Sequence, residues 1–116
     1  MEKITYITKA KEILDIIKPI PAKKFLVDRY GDLKGNSCFL GHIHRVLNPE
    51  GDENNYIGDQ NGYGARTLTE KFLVEKHNIR WADGAFVNNG PVNGYKQPTP
   101  KKRIVALLKD MIKEGY

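Results

Sequence analysis

Apolar residues recur at helical spacing in four stretches of the chain, and each stretch predicts an amphipathic helix. The helices are expected near residues 6–18, 37–47, 67–77 and 100–114. The inner face of the first helix comprises Ile7, Ala10, Ile13, Leu14 and Ile17. That of the last is wider and comprises Ile104, Val105, Leu107, Leu108, Met111 and Ile112. The predicted fold is therefore mainly α, with about four helices around one core in a single domain, 1–116.

The helix near residues 37–47 is expected to lie at the centre of this core. Asn36 or Ser37 can cap its first turn with a side-chain oxygen. Its buried stripe is predicted to contain Phe39, Ile43, Val46 and Leu47. The same stretch holds the single cysteine of the chain and two of its three histidines, so it also draws attention as a place for chemistry.

Local signals place the ends of the other helices. Pro19 ends the first, and the capping box from Thr67 to Glu70 predicts where the third begins. Asn78 is a plausible left-handed residue at the end of that helix. The last helix is expected to start with Thr99 as cap and a proline in its first turn, and to end at Gly115.

Two long segments rich in glycine and asparagine separate these helices. Residues 48–66 show no hydrophobic period and are predicted to be a loop. Residues 82–98 are predicted to form either an irregular loop or a short β-hairpin around the turn dipeptide Asn93-Gly94. Loops this long are often functional in small domains.

Composition narrows the class of protein. The chain has 116 residues, a formal net charge of +5 and one cysteine. A single cysteine rules out an internal disulfide and favours a reducing compartment. No apolar run approaches the roughly 18 residues of a membrane span, and the N-terminus lacks the features of a signal peptide. A cytoplasmic protein without membrane association is expected.

The charge is unevenly distributed along the chain. Residues 1–47 carry nine Lys/Arg against five Asp/Glu and residues 99–116 carry five against two, whereas residues 48–66 carry one against four. Exposed lysines that only keep the protein soluble are the favoured explanation. The alternative is a basic surface for an anionic partner, either nucleic acid or an acidic protein surface. The candidate binding residues of the last helix, expected to face solvent for the most part, are Lys101, Lys102, Arg103, Lys109 and Lys113.

Aromatic residues near the second loop supply a further candidate surface. Trp81 and Tyr95 lie close in sequence to Arg80 and Lys96, an arrangement compatible with stacking on single-stranded nucleic acid. These rings, with that of Phe86, can instead fill the core, and this is the favoured interpretation.

A thiol-dependent reaction is the main enzymatic alternative. Cys38 and His42 lie four residues apart, so they share one side of a helix, and the helix N-terminus favours a thiolate. His77 and Asp83 would complete a catalytic set if the fold brought them close. Against this, free cysteine is one of the most buried residue types, and we expect Cys38 to be a core residue.

No metal or cofactor site is predicted. A Cys-x-x-x-His spacing supplies too few ligands for structural zinc. Residues 59–70 have the length of an EF-hand loop, but Tyr63 replaces a ligand there and Glu70 is better explained as part of the capping box.

The order of these elements resembles a family of small bacterial and phage proteins known only as a domain of unknown function. The resemblance rests on the Gly-x-Ser-Cys-x-Leu-Gly helix start within residues 35–47, followed by a variable loop, a helix and Ile79-x-Trp81-x-Asp83. The family pattern has Cys-Ala-Leu-Gly-Ala where this chain has Cys-Phe-Leu-Gly-His, so His42 departs from it. The resemblance implies no activity.

The leading functional prediction is a small, basic, non-enzymatic binding module, such as a phage or mobile-element accessory protein acting on a host macromolecule. A small hydrolase or transferase using Cys38 is the first alternative. A structural protein whose apolar helices assemble into an oligomer is the second.

Overall fold

The computed structural model describes residues 7–27, 38–47, 60–80, 82–92 and 94–116, without the side chains of residues 44, 47 and 60–63. The described residues form five α-helices and no strand, so the predicted mainly α fold is confirmed. In chain order the α-helices are α1 Ala10–Ile17, α2 Phe39–Leu47, α3 Gln60–His77, α4 Gly84–Asn89 and α5 Pro100–Lys113. A short 3₁₀ helix, Ala22–Lys24, follows α1.

Helix α1 packs against α5, and the predicted faces of both helices are confirmed except at Ile112, which is 39% exposed. Ala10, Ile13 and Ile17 are fully buried from α1. The buried apolar residues of α5 are Ile104, Leu107, Leu108 and Met111. Helix α1 begins at Ala10 rather than near residue 6, and the Glu12 carboxylate accepts a hydrogen bond from the Lys9 N–H at 3.1 Å.

The ends of α5 are those that its sequence predicts. The Thr99 hydroxyl accepts from the Lys102 N–H at 3.3 Å, and Pro100 occupies the first turn. At the other end Gly115 has a φ of 87°, and the Tyr116 N–H donates to the Met111 carbonyl at 2.8 Å. The bond from Tyr116 to Met111 closes a Schellman motif around Gly115.

Helix α3 ends as predicted but begins earlier. Asn78 has a φ of 54°, and its N–H donates to the Val74 carbonyl at 3.1 Å, as in an αL cap. The Ile79 N–H donates to the Leu73 carbonyl at 3.0 Å. The predicted start at Thr67 is wrong, since the helix begins at Gln60 and Thr67 is exposed within it. Gly64 and Ala65 are buried, so tertiary packing stabilises a glycine-containing turn that has poor local propensity.

The predicted second loop contains helix α4, which the sequence analysis missed. The Asp83 carboxylate caps α4 by accepting from the Ala85 N–H at 2.9 Å and the Phe86 N–H at 3.3 Å. The turn predicted at Asn93-Gly94 follows α4, and it is closed by an antiparallel bridge between Val92 and Tyr95. Gly94 has a φ of 93° in that turn; Asn93 lies outside the described residues.

Helix α2 is buried on nearly all sides of its first turn. Phe39 and Ile43 are fully buried as predicted, together with Leu40 and His42. The burial predicted for Val46 is wrong, since its side chain is 50% exposed at the end of the helix. The side chain of Leu47, and the candidate caps Asn36 and Ser37, lie outside the described part of the chain.

A buried asparagine joins α2 to α4 and to the connector after α1. The Asn88 side-chain oxygen accepts from the Phe39 N–H at 3.2 Å, and its amide donates to the Leu26 carbonyl at 2.7 Å. Asn88 is fully buried. It therefore satisfies two backbone groups that would be costly to bury alone.

Candidate functional site

Cys38 lies immediately before α2 and is buried, with 6% of its surface exposed. Burial raises the pKa of its thiol, and the negative charge of Asp83 acts in the same direction. The backbone N–H groups of Gly41, Leu40 and Cys38 oppose this shift but do not overcome it. The thiol is consequently held in its protonated form, which is the weaker nucleophile.

The His42 ring is also part of the packed interior. Its Nε2 lies 2.8 Å from the Lys24 carbonyl oxygen, and its ring centroid lies 4.6 Å from that of Phe25. Because a carbonyl only accepts, this contact places a proton on Nε2. His42 thus fastens the 3₁₀ helix to α2.

His77 and Tyr95 form a separate polar chain near the end of α3. The His77 Nε2 lies 2.9 Å from the Tyr95 hydroxyl oxygen, and that hydroxyl donates to the Asp110 carboxylate at 2.9 Å. Burial and the bond to Asp110 raise the pKa of Tyr95 well above its usual value of 10.0. The Tyr95 ring is only 1% exposed, so it fills the core, as the favoured interpretation of the sequence has it, and its buried ring offers no surface for stacking.

The four candidate catalytic residues do not form one cluster. Asp83 caps α4 and pairs with Arg66, whose Nε lies 2.7 Å from the carboxylate. His77 lies eleven residues further along α3 than Arg66, about 16 Å along the helix axis. The structure therefore places Asp83 near Cys38 and beside the middle of α3, whereas His77 contacts Tyr95 at the C-terminal end of α3.

The basic residues of α5 fall into two classes. Lys102, Lys109 and Lys113 are exposed. Arg103 is only 5% exposed, so the prediction that it faces solvent is wrong. Its Nε donates to the Val87 carbonyl at 2.7 Å, while its terminal nitrogens donate to the carbonyls of Gln97 and Asn88, each at 2.8 Å.

Lys101 links α5 to the end of α1. Its ammonium donates to the Lys18 carbonyl at 2.7 Å and to the Ile20 carbonyl at 2.6 Å. The last turn of α1, the 3₁₀ helix and the first turn of α5 thus meet at one edge of the molecule. We call this edge, with its five lysines, the lysine edge: Lys18, Lys23, Lys24, Lys101 and Lys102.

Sequence reasoning singled out only two of these five lysines. The missed signal is the distribution of acidic residues, because segments 16–27 and 84–109 contain no Asp or Glu. They contain three and five Lys/Arg respectively. Only the packing of α1 against α5 shows that two of these lysine groups belong to the same surface.

Other candidate features add little. Trp81 lies outside the described residues. Phe86 is 49% exposed, so the prediction that its ring fills the core is wrong. Within the described ranges, no three His, Cys, Asp or Glu side chains are placed to hold a metal ion, and none of the helices there is both long and apolar enough to span a bilayer.

Comparisons with known proteins return no match to a protein family, to a curated protein or to a solved structure. The resemblance to small bacterial and phage proteins stays a prediction.

Proposed function

We propose that this protein is a small non-enzymatic module that binds an anionic macromolecule. The observation that carries the proposal is the lysine edge, where residues from two segments without any Asp or Glu pack together. A cluster of positive charges attracts polyanions and increases their rate of association. The exposed Asp15, three residues before Lys18, borders this cluster.

The absence of catalytic activity is supported by the environment of the candidate catalytic side chains. The Cys38 thiol is buried and its pKa is raised. His42 is bonded to a backbone carbonyl, and Asp83 holds the start of α4. Each group therefore has a structural role that accounts for its position.

Binding of the intact chain to polyanions tests this proposal. Fluorescence anisotropy with labelled duplex DNA, single-stranded RNA and poly-glutamate should detect binding of at least one polymer at micromolar protein in about 50 mM salt. Affinity should fall steeply by about 200 mM salt, because bound counterions are released on association. No binding to any of the three polymers at low salt would overturn the proposal.

A further inference from the structure

We infer that the anionic partner is a nucleic acid and that its phosphate backbone lies along the lysine edge rather than along the whole of α5. This inference rests on the proposed function and names its partner and its surface.

The positive charges of the edge come from elements that hold one another in place. Lys18 is exposed directly after α1, Lys102 is exposed on α5, and Lys23 is exposed on the 3₁₀ helix. The bonds from the Lys101 ammonium to the end of α1 fix the spacing of these elements. A preorganised array loses less entropy on binding than lysines on a flexible tail.

Backbone electrostatics adds to the side-chain charge. The C-terminal end of a helix carries a partial negative charge, which at α1 is covered by the Lys101 ammonium. The first turn of α5 contributes the positive end of a helix of 14 residues. Both effects make the field at the edge more favourable to phosphate.

The rest of the surface formed by the described residues offers a less uniform charge. Lys76 pairs with Glu114 at 3.5 Å, and Arg66 pairs with Asp83. The second half of α5 interleaves Lys109 and Lys113 with Asp110 and Glu114. These carboxylates weaken the attraction for a polyanion away from the lysine edge.

The composition of the edge favours nucleic acid over an acidic protein. Cores of protein interfaces are enriched in aromatic residues and arginine and depleted in lysine. The charged residues of segments 18–24 and 99–102 are lysines only, and the large apolar side chains that are exposed among the described residues lie outside these segments. Lysine binds backbone phosphate as a point charge and requires no apolar contact.

Two variants with the same change of charge test the inference. The edge variant carries Lys18→Gln, Lys23→Gln and Lys102→Gln, and it spares the structural bonds of Lys101. The control variant carries Lys71→Gln, Lys109→Gln and Lys113→Gln at positions that are also exposed. Circular dichroism melts establish that both variants fold.

Binding of a mixed-sequence DNA duplex and of single-stranded RNA is then measured by anisotropy over a range of salt concentrations, with poly-glutamate as the acidic-protein comparator. We expect the edge variant to lose at least about tenfold in duplex affinity at low salt, with a salt slope shallower by about 2 to 3. The control variant should lose less than about threefold, because its lysines make no phosphate contact.

Each other outcome has a distinct meaning. Equal losses in both variants would overturn the inference, because net charge alone would account for binding, but would leave the proposed function standing. Tighter binding of poly-glutamate than of either nucleic acid would assign the edge to an acidic protein and would also overturn it. Failure of the unmodified chain to bind any polymer would overturn the proposed function itself.

Discussion

Arg103 of α5 donates its Nε–H to the Val87 carbonyl oxygen at 2.7 Å, which joins α5 to the last turn of α4. The last carbonyls of a helix have no partner within it. The guanidinium supplies partners to two of them, at Val87 and Asn88. Arg103, which the sequence suggests as a binding residue, is therefore a buried side chain that caps the end of α4.

Replacing Arg103 should destabilise the protein far more than replacing its exposed neighbour. Arg103→Ala leaves three carbonyls without their donor, and we expect the free energy of unfolding to fall by about 3 kcal/mol or more. Arg103→Lys should also destabilise, because an ammonium lacks the planar fork that reaches all three. Urea denaturation measures both.

The matched control is Lys102→Ala, which should change stability by no more than about 0.5 kcal/mol. Similar losses for the two alanine variants would contradict the structural role of Arg103.

Gly84 is a position where only glycine fits. A Cβ there would lie 2.3 Å from Cζ of Phe39 and 3.0 Å from the Thr69 hydroxyl oxygen. Phe39 is fully buried and cannot swing away, so Gly84→Ala should cost about 1–3 kcal/mol.

Gly90 provides the control for this substitution. Its φ of −174° is extended, and a Cβ would meet nothing within 4 Å. Gly90→Ala should leave stability unchanged or raise it by about 0.4–1 kcal/mol, because alanine restricts the unfolded chain. Thermal melts of the two variants compare the sites directly, and equal effects would argue against the close contact of Gly84 with Phe39.

Cys38 should resist alkylation in the folded protein. Because burial raises the pKa of the thiol above its usual 9.0, iodoacetamide at about pH 8 should label native Cys38 no faster than the chain unfolds. The denatured protein is its own control, since Cys38 is the only cysteine. Labelling of the native thiol at the rate of a free one would revive the enzymatic alternative.

The same pKa shift makes a pH-dependent contribution to stability. The contribution of a group whose pKa is higher in the folded state is fully present below the unfolded pKa and is lost as pH rises above it. For Cys38 the loss of stability begins near pH 9.0.

Cys38→Ser should lower the free energy of unfolding by about 1–3 kcal/mol at neutral pH, since it buries a hydroxyl.

Tyr95 should weaken the fold at alkaline pH. Its raised pKa means that the unfolded chain loses this proton near pH 10.0 while the folded chain retains it. The stability contributed by Tyr95 is therefore complete below pH 10.0 and declines as pH rises. The bond of Tyr116 to Glu75 raises the pKa of Tyr116 to about 12, and its effect has the same sign.

Tyr95→Phe separates this effect from simple packing. At about pH 8 the variant should be less stable by about 1 kcal/mol, because it loses the hydrogen bonds of the hydroxyl. The loss stays this small because the exposed His77 and Asp110 can bond to water instead. The difference should shrink by about pH 11, as measured by urea denaturation at both values. A difference that stays constant with pH would show that ionisation of Tyr95 is not coupled to folding.

Features specified within a few residues of the chain were predictable. The faces of α1 and α5 follow from apolar periodicity, and the ends at Asn78 and Gly115 follow from residues that tolerate positive φ. Thr99 caps α5 with its own hydroxyl, and the turn at Gly94 closes on Val92 and Tyr95. In each case the interacting groups are close in sequence, so a local pattern contains the information.

The remaining features depend on contacts between distant parts of the chain. Asn88 bonds to Leu26 and Phe39, which are 62 and 49 residues away in sequence. The early start of α3 depends on burial of Gly64 and Ala65, and the burial of Arg103 depends on α4. The sequence alone determined a mainly helical chain, both ends of α5, the end of α3 and an excess of lysine. Only the tertiary structure decided which lysines share a surface and which polar groups are buried, because both depend on how the helices pack rather than on spacing within any one helix.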